Sequence, residues 1–125
     1  FKNNFLLGVG PKNFRYVCGQ KDYYINEFSC STHPHNYTLQ ILSETGLLGF
    51  LIFILIYLGF LYLFIKELIF FKRNTSVPKL ILITTILINF FPLFPSGSFF
   101  NNWNSILYTI PLGMLLGYYK ESVWK

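Results

Sequence analysis

Residues 46–65, GLLGFLIFILIYLGFLYLFI, run for 20 positions without a charge. As a helix rising about 1.5 Å per residue, the run is about 30 Å long, the thickness of a bilayer's hydrocarbon core. It constrains the chain more than any other feature. In lipid a backbone must satisfy its own hydrogen bonds, and a single segment can do so only as a helix. The composition agrees: 53% of residues are hydrophobic, 12% are charged, and there are 15 Phe and 9 Tyr. Soluble domains carry about 25% charged residues. In water this chain would expose large apolar patches, which soluble monomers rarely tolerate.

Two further apolar runs follow. One covers 77–94, opening near Pro78 and closing on Pro92 and Pro95; the other covers 105–119 with Pro111 inside it. Proline suits the first turn of a helix, and an interior kink is tolerated in membrane helices. The pattern predicts an all-α, polytopic helical membrane protein with three transmembrane helices, at 46–65, 77–94 and 105–119. Ahead of them lies a loop and amphipathic helix at 1–45; a loop at 66–76, a turn at 95–104 and a tail at 120–125 complete the chain. Short cytoplasmic loops are enriched in Lys and Arg. Lys66, Lys72, Arg73 and Lys79 therefore put the first loop inside, 1–45 and 95–104 outside, and the tail inside. Lys2, Lys12, Arg15 and Lys21 weigh against that orientation, and Asp22, Glu27 and Glu44 only partly offset them. Trp103 and Trp124 fall at the two interfaces, where amphipathic rings are favoured. The net charge of +5 is spread between apolar runs and no nucleic-acid motif is present, so nucleic acid is not expected as a partner. No signal peptide is read at Phe1, and further transmembrane helices of the same protein are expected upstream.

Cys18 and Cys30 both lie in the segment assigned outside. An oxidising periplasm favours a bridge between them, worth roughly 3 kcal/mol in the chain-entropy model; two free thiols are the alternative. Their spacing fits neither a zinc nor a thioredoxin motif.

Both histidines, His33 and His35, sit just before the first span. Pro34 disfavours helix in the residue before it. From Asn36 the pattern turns helical: Leu39, Leu42, Gly46 and Gly49 share one face, and Asn36, Gln40 and Glu44 another. This predicts an amphipathic helix running directly into the span with His35 at its outer tip. Gly46 and Gly49 offer a surface without Cβ bulk for another helix. Histidine exchanges protons near neutral pH. His35 at a wet membrane surface is therefore a candidate to take a proton from a sugar hydroxyl, with His33, Asn36, Gln40 and Glu44 as candidate substrate contacts. The alternative is an interfacial polar cluster without chemistry. No metal site is expected, since His33 and His35 lack a third ligand and Glu44 lies about two and a half helical turns away. The segment from Gly8 to Phe14, GVGPKNF, lacks the Gly-Lys-Ser/Thr of a phosphate-binding loop and the third Gly of a dinucleotide fingerprint. A tight turn is its default reading, backbone contact to phosphate the alternative. Asn101, Asn102 and Trp103 suit an interfacial anchor or a glycan contact.

His35-Asn36, nine residues, then Gly46-Leu47-Leu48-Gly49 resembles a signature of the O-antigen ligase and polymerase superfamily (WaaL- and Wzy-type): a His, then Asn, Ser or Gln, nine residues, then Gly-x-x-Gly. Gly8-Val9-Gly10-Pro11-Lys12-Asn13-Phe14-Arg15 looks like the Gly-rich segment ahead of that histidine. The stretch from Phe94 to Trp103 is similar to the periplasmic turn of polymerase-like members. The resemblance covers nearly the whole chain. It implies a multi-pass glycosyltransferase of the bacterial inner membrane with its active face in the periplasm. The implied donor is a glycan on undecaprenyl pyrophosphate, and the implied acceptor is a sugar hydroxyl on lipid A-core or on a growing glycan. His35 matches the position of the general base. Family arginines clamp the donor pyrophosphate, and Arg15, the only Arg in residues 1–45, is the candidate. A planar guanidinium makes bidentate contacts to phosphate oxygens. The leaving group is already a pyrophosphate, so no cofactor is expected. Two other readings stand beside this one. A transporter or flippase fragment for a lipid-linked saccharide is disfavoured by the lack of charged residues in the three spans beyond Lys79 at the start of the second. An inactive truncated fragment is the other.

Overall fold

The computed structural model describes residues 4–21, 24, 26, 30–69 and 76–123. Among these the chain is helical: α1 (Phe14–Val17), α2 (Tyr37–Ile69), α3 (Val77–Asn89) and α4 (Asn102–Val123). One isolated antiparallel bridge joins Asn36 to Pro95. Lys2, Asp22, Glu27, Lys72, Arg73 and Trp124, which bear on the predicted orientation, lie outside the described residues.

The apolar run 46–65 lies in α2, which is 33 residues long and has 6% of its apolar window buried. The core helix of a soluble protein is mostly covered; this one is not. It is long and apolar enough to cross a bilayer, and among the described residues it is the one helix that is. Three such helices were expected. The second apolar run forms only the 13 residues of α3, about 20 Å. It stops at Asn89, ahead of the predicted end at 94, because Pro92 disfavours helical backbone in the residue before it. The third run lies in the 22-residue α4, which continues through Pro111.

The chain packs as two units, Phe1–Ile54 with Pro92–Asn104 and Leu55–Phe91 with Ser105–Lys125. In the second, Ile83, Ile86 and Leu115 are almost fully buried. Phe90 packs on Tyr108 with ring centroids 5.2 Å apart. Lys79 pairs with Glu67 at 2.5 Å and lies over the Tyr119 ring, 4.4 Å from its centroid. Lys79 thus meets Tyr119 while Phe90 meets Tyr108, so α3 and α4 run antiparallel. In the first unit, Phe99 is packed edge-on by Tyr37 at 5.4 Å and by Phe53 at 6.1 Å.

Candidate functional site

The first unit is organised by a break in α2. The predicted uninterrupted helix is interrupted at Gly46, whose φ of 67° and ψ of −167° are not helical. Such a break frees backbone groups that must find partners. Residues 5–10 supply them. The N–H groups of Leu47 and Leu48 donate to the carbonyls of Phe5 (2.9 Å) and Leu6 (3.3 Å). In return, Val9 N–H donates to the Ser43 carbonyl (3.0 Å) and Gly10 N–H to that of Glu44 (2.8 Å). The crossing is possible only between glycines. Gly8 and Gly46 both have positive φ, a Cβ on Gly46 would overlap the Leu6 carbonyl, and a Cβ on Gly8 would overlap that of Glu44. The backbone that approaches Gly46 is therefore a loop, where a helix was expected. Gly49 faces Thr45 of its own helix, and the Thr45 hydroxyl donates to the Ile41 carbonyl at 2.7 Å.

Glu44 and Gln40, one turn apart, are 0% and 1% exposed. The Glu44 carboxylate accepts from the backbone N–H of Lys12 (2.8 Å) and of Phe14 (3.3 Å), and from the Gln40 amide (3.3 Å). Gln40 also donates to the Ser98 hydroxyl (3.0 Å) and accepts from Phe99 N–H (2.8 Å). Asn36 is equally committed. Its Oδ1 caps α2 by accepting from Leu39 N–H (3.0 Å), and its Nδ2 donates to the carbonyls of Pro92 (3.0 Å) and Phe94 (3.3 Å). Asn36, Gln40 and Glu44, expected to touch substrate, all bond to protein here, Gln40 and Glu44 fully buried and Asn36 half-buried.

The same unit holds a cleft of about 400 Å³. Lys12, Asn13, Arg15 and Tyr16 form one wall. The other comes from Ser98, Phe100, Asn101 and Asn102. Among the described residues two cations and no carboxylate line it, so the cleft suits an anion flanked by groups that hydrogen-bond or stack. Arg15, singled out from sequence, lines the opening; Lys12, Phe100 and Ser98 were not singled out. Sequence had flagged the loop after Gly8 and the segment 101–103 separately, and nothing local signals that they meet. Asn101 Oδ1 accepts from Trp103 N–H at 3.1 Å, capping α4, and Trp103 is exposed. Cys18 and Cys30 are joined by a disulfide with 5.3 Å between Cα atoms. Cys18 is buried directly after α1, the short helix that carries Arg15 and Tyr16.

The histidines sit beside the 92–98 turn. His35 is exposed, has φ of 53°, and its carbonyl accepts from Ser96 N–H at 2.9 Å. The His33 ring lies 4.2 Å from that of His35, centroid to centroid. His33 Nδ1 is 3.0 Å from the Thr32 hydroxyl, while its Nε2 and the Ser96 hydroxyl are buried and make no hydrogen bond. Burial pushes the His33 pKa below its ordinary 6.5, with help from the His35 and Arg15 charges and against the Ser96 backbone and Glu44.

A mostly helical chain with a bilayer-length apolar helix fits a membrane protein, and the described lining of the cleft carries two cations. Comparison with known families agrees: residues 1–54 match the family model described as O-antigen ligase (Wzy_C). The matched stretch is consistent with an O-antigen ligase-related domain, and it contains His35, Gly46 and Gly49, the loop after Gly8 and both cysteines. No curated protein and no solved structure matches the chain.

Proposed function

We propose that this chain is part of a bacterial inner-membrane glycosyltransferase that moves a glycan from undecaprenyl pyrophosphate to a sugar hydroxyl at the periplasmic face. The observation that carries the reading is the family match over 1–54 with His35-Asn36 and Gly46–Gly49 in the spacing of its signature. The cleft supports it, because Lys12 and Arg15 on its wall supply the positive charge that a pyrophosphate needs.

In this mechanism His35 accepts the proton of the acceptor hydroxyl as its oxygen attacks the anomeric carbon of the donor. The bond from that carbon to the phosphate oxygen breaks, and undecaprenyl pyrophosphate leaves with the electron pair. Arg15 binds the pyrophosphate and stabilises the charge that grows on it. The acceptor is lipid A-core or a growing glycan, and the chain crosses the membrane three times together with further helices of the same protein. His35→Ala in the full-length protein is expected to lower glycan transfer by about 100-fold or more while membrane insertion is unchanged. Wild-type polysaccharide ladders from that variant would reject the assignment, as would movement of labelled carrier lipid without glycosidic bond formation.

A further inference from the structure

Resting on that donor reading, we infer that Glu44 is a positioning residue, which holds Lys12 against the cleft as a second cation for the donor pyrophosphate and, through Gln40, holds the opposite wall in register. Glu44 is fully buried and touches no open space, so it acts only through what it binds. Burying a carboxylate is costly unless its oxygens are hydrogen-bonded. Here they meet three N–H donors, two of them from the loop that forms one wall. Lys12 has φ of 63°, left-handed backbone that an L residue with a long side chain adopts only when its surroundings impose it. The Glu44 bond to its N–H, with that to Phe14 two residues on, supplies the constraint. The opposite wall is tied to the same carboxylate by one side chain. Gln40 donates to both Glu44 and Ser98 and accepts from Phe99, so both ends of its amide are in use. Residues 12–14 and 98–99 lie far apart in sequence, and the Glu44–Gln40 pair ties both to the same turn of α2.

Glutamine at position 44 keeps the length of the side chain but replaces an acceptor oxygen with an N–H donor facing other donors. Glycine at position 12 keeps the left-handed turn and removes the ammonium. The full-length protein in proteoliposomes is assayed for initial rate against undecaprenyl pyrophosphate-linked glycan, and for inhibition by inorganic pyrophosphate. Glu44→Gln is expected to raise both the donor KM and the pyrophosphate inhibition constant by about tenfold, with kcat changed by less than about threefold. Lys12→Gly is expected to act in the same direction. The double variant is expected to be no worse than the more affected single one, because the two act as a unit. A merely structural role for Glu44 would reduce the active fraction, and so kcat, and leave the inhibition constant alone. That result, or additive effects in the double variant, overturns the inference. If Glu44→Gln does not accumulate in membranes, Lys12→Gly decides, and an unchanged inhibition constant there overturns it. A wild type that transfers no glycan sinks the donor reading itself; an active wild type with unaffected variants sinks only the role of Glu44.

Discussion

Lys12 and His35 are the two described non-glycine residues with left-handed backbone, at φ of 63° and 53°. Each is held by a hydrogen bond from another segment, Lys12 by Glu44 and His35 by Ser96. Strained backbone persists only where its surroundings over-determine it, and it concentrates at functional sites. His33 adds a pH dependence at the same scale. Its folded pKa lies below the ordinary 6.5, first because of burial and then because of His35. Between those two values the unfolded chain binds more protons than the folded one, so stability rises with pH. The 33–36 segment is therefore expected to be fully stable above about pH 6.5 and to loosen as pH falls through the lowered value. Hydrogen exchange of the Ser96 amide against pH measures this. A His33→Gln variant is expected to lose the dependence, and an unaltered pH profile in that variant would refute it.

At the scale of elements, the break in α2 does the most work. The half ahead of Gly46 is capped by Asn36 and carries Gln40 and Glu44, and the half after it carries the apolar run. Residues 5–10 bind both halves through backbone hydrogen bonds. Gly46→Ala combines a φ of 67° that L residues resist with a Cβ that overlaps the Leu6 carbonyl. It is expected to cost about 3 kcal/mol or more and to release the loop that bears Lys12 and Arg15. Gly59→Ala, on the same helix with open space around it, is expected to be near neutral. Thermal unfolding of the two variants in detergent compares them directly; equal midpoints would show that the loop is not docked in the break.

For the whole molecule, function depends on topology. A helix of 33 residues with its apolar window 6% buried calls for lipid around it. The proposed orientation puts His35 on the periplasmic side. In the full-length protein, a His35→Cys variant is expected to react with a membrane-impermeant maleimide added outside spheroplasts. Reaction only after the cytosolic face is opened would reverse the orientation and remove the donor from reach.

Much of the architecture was legible in the sequence, for a local reason. Charge-free length, helical periodicity and the spacing from His35 to Gly49 are properties of neighbouring residues, and they anticipated the long apolar helix and the family model that residues 1–54 match. The helix boundaries were less legible, since Pro92 shortens α3 from a distance of three residues. Periodicity placed Asn36, Gln40 and Glu44 on one polar face, but it could not say whether that face met water, substrate or protein. The tertiary structure decided it by docking the loop after Gly8 and the turn before α4 onto that face. Hydrogen bonds spanning about 30 to 60 residues tie Gln40 and Glu44 of that face to protein. A buried polar group must find partners, and only the folded chain determines which distant backbone supplies them.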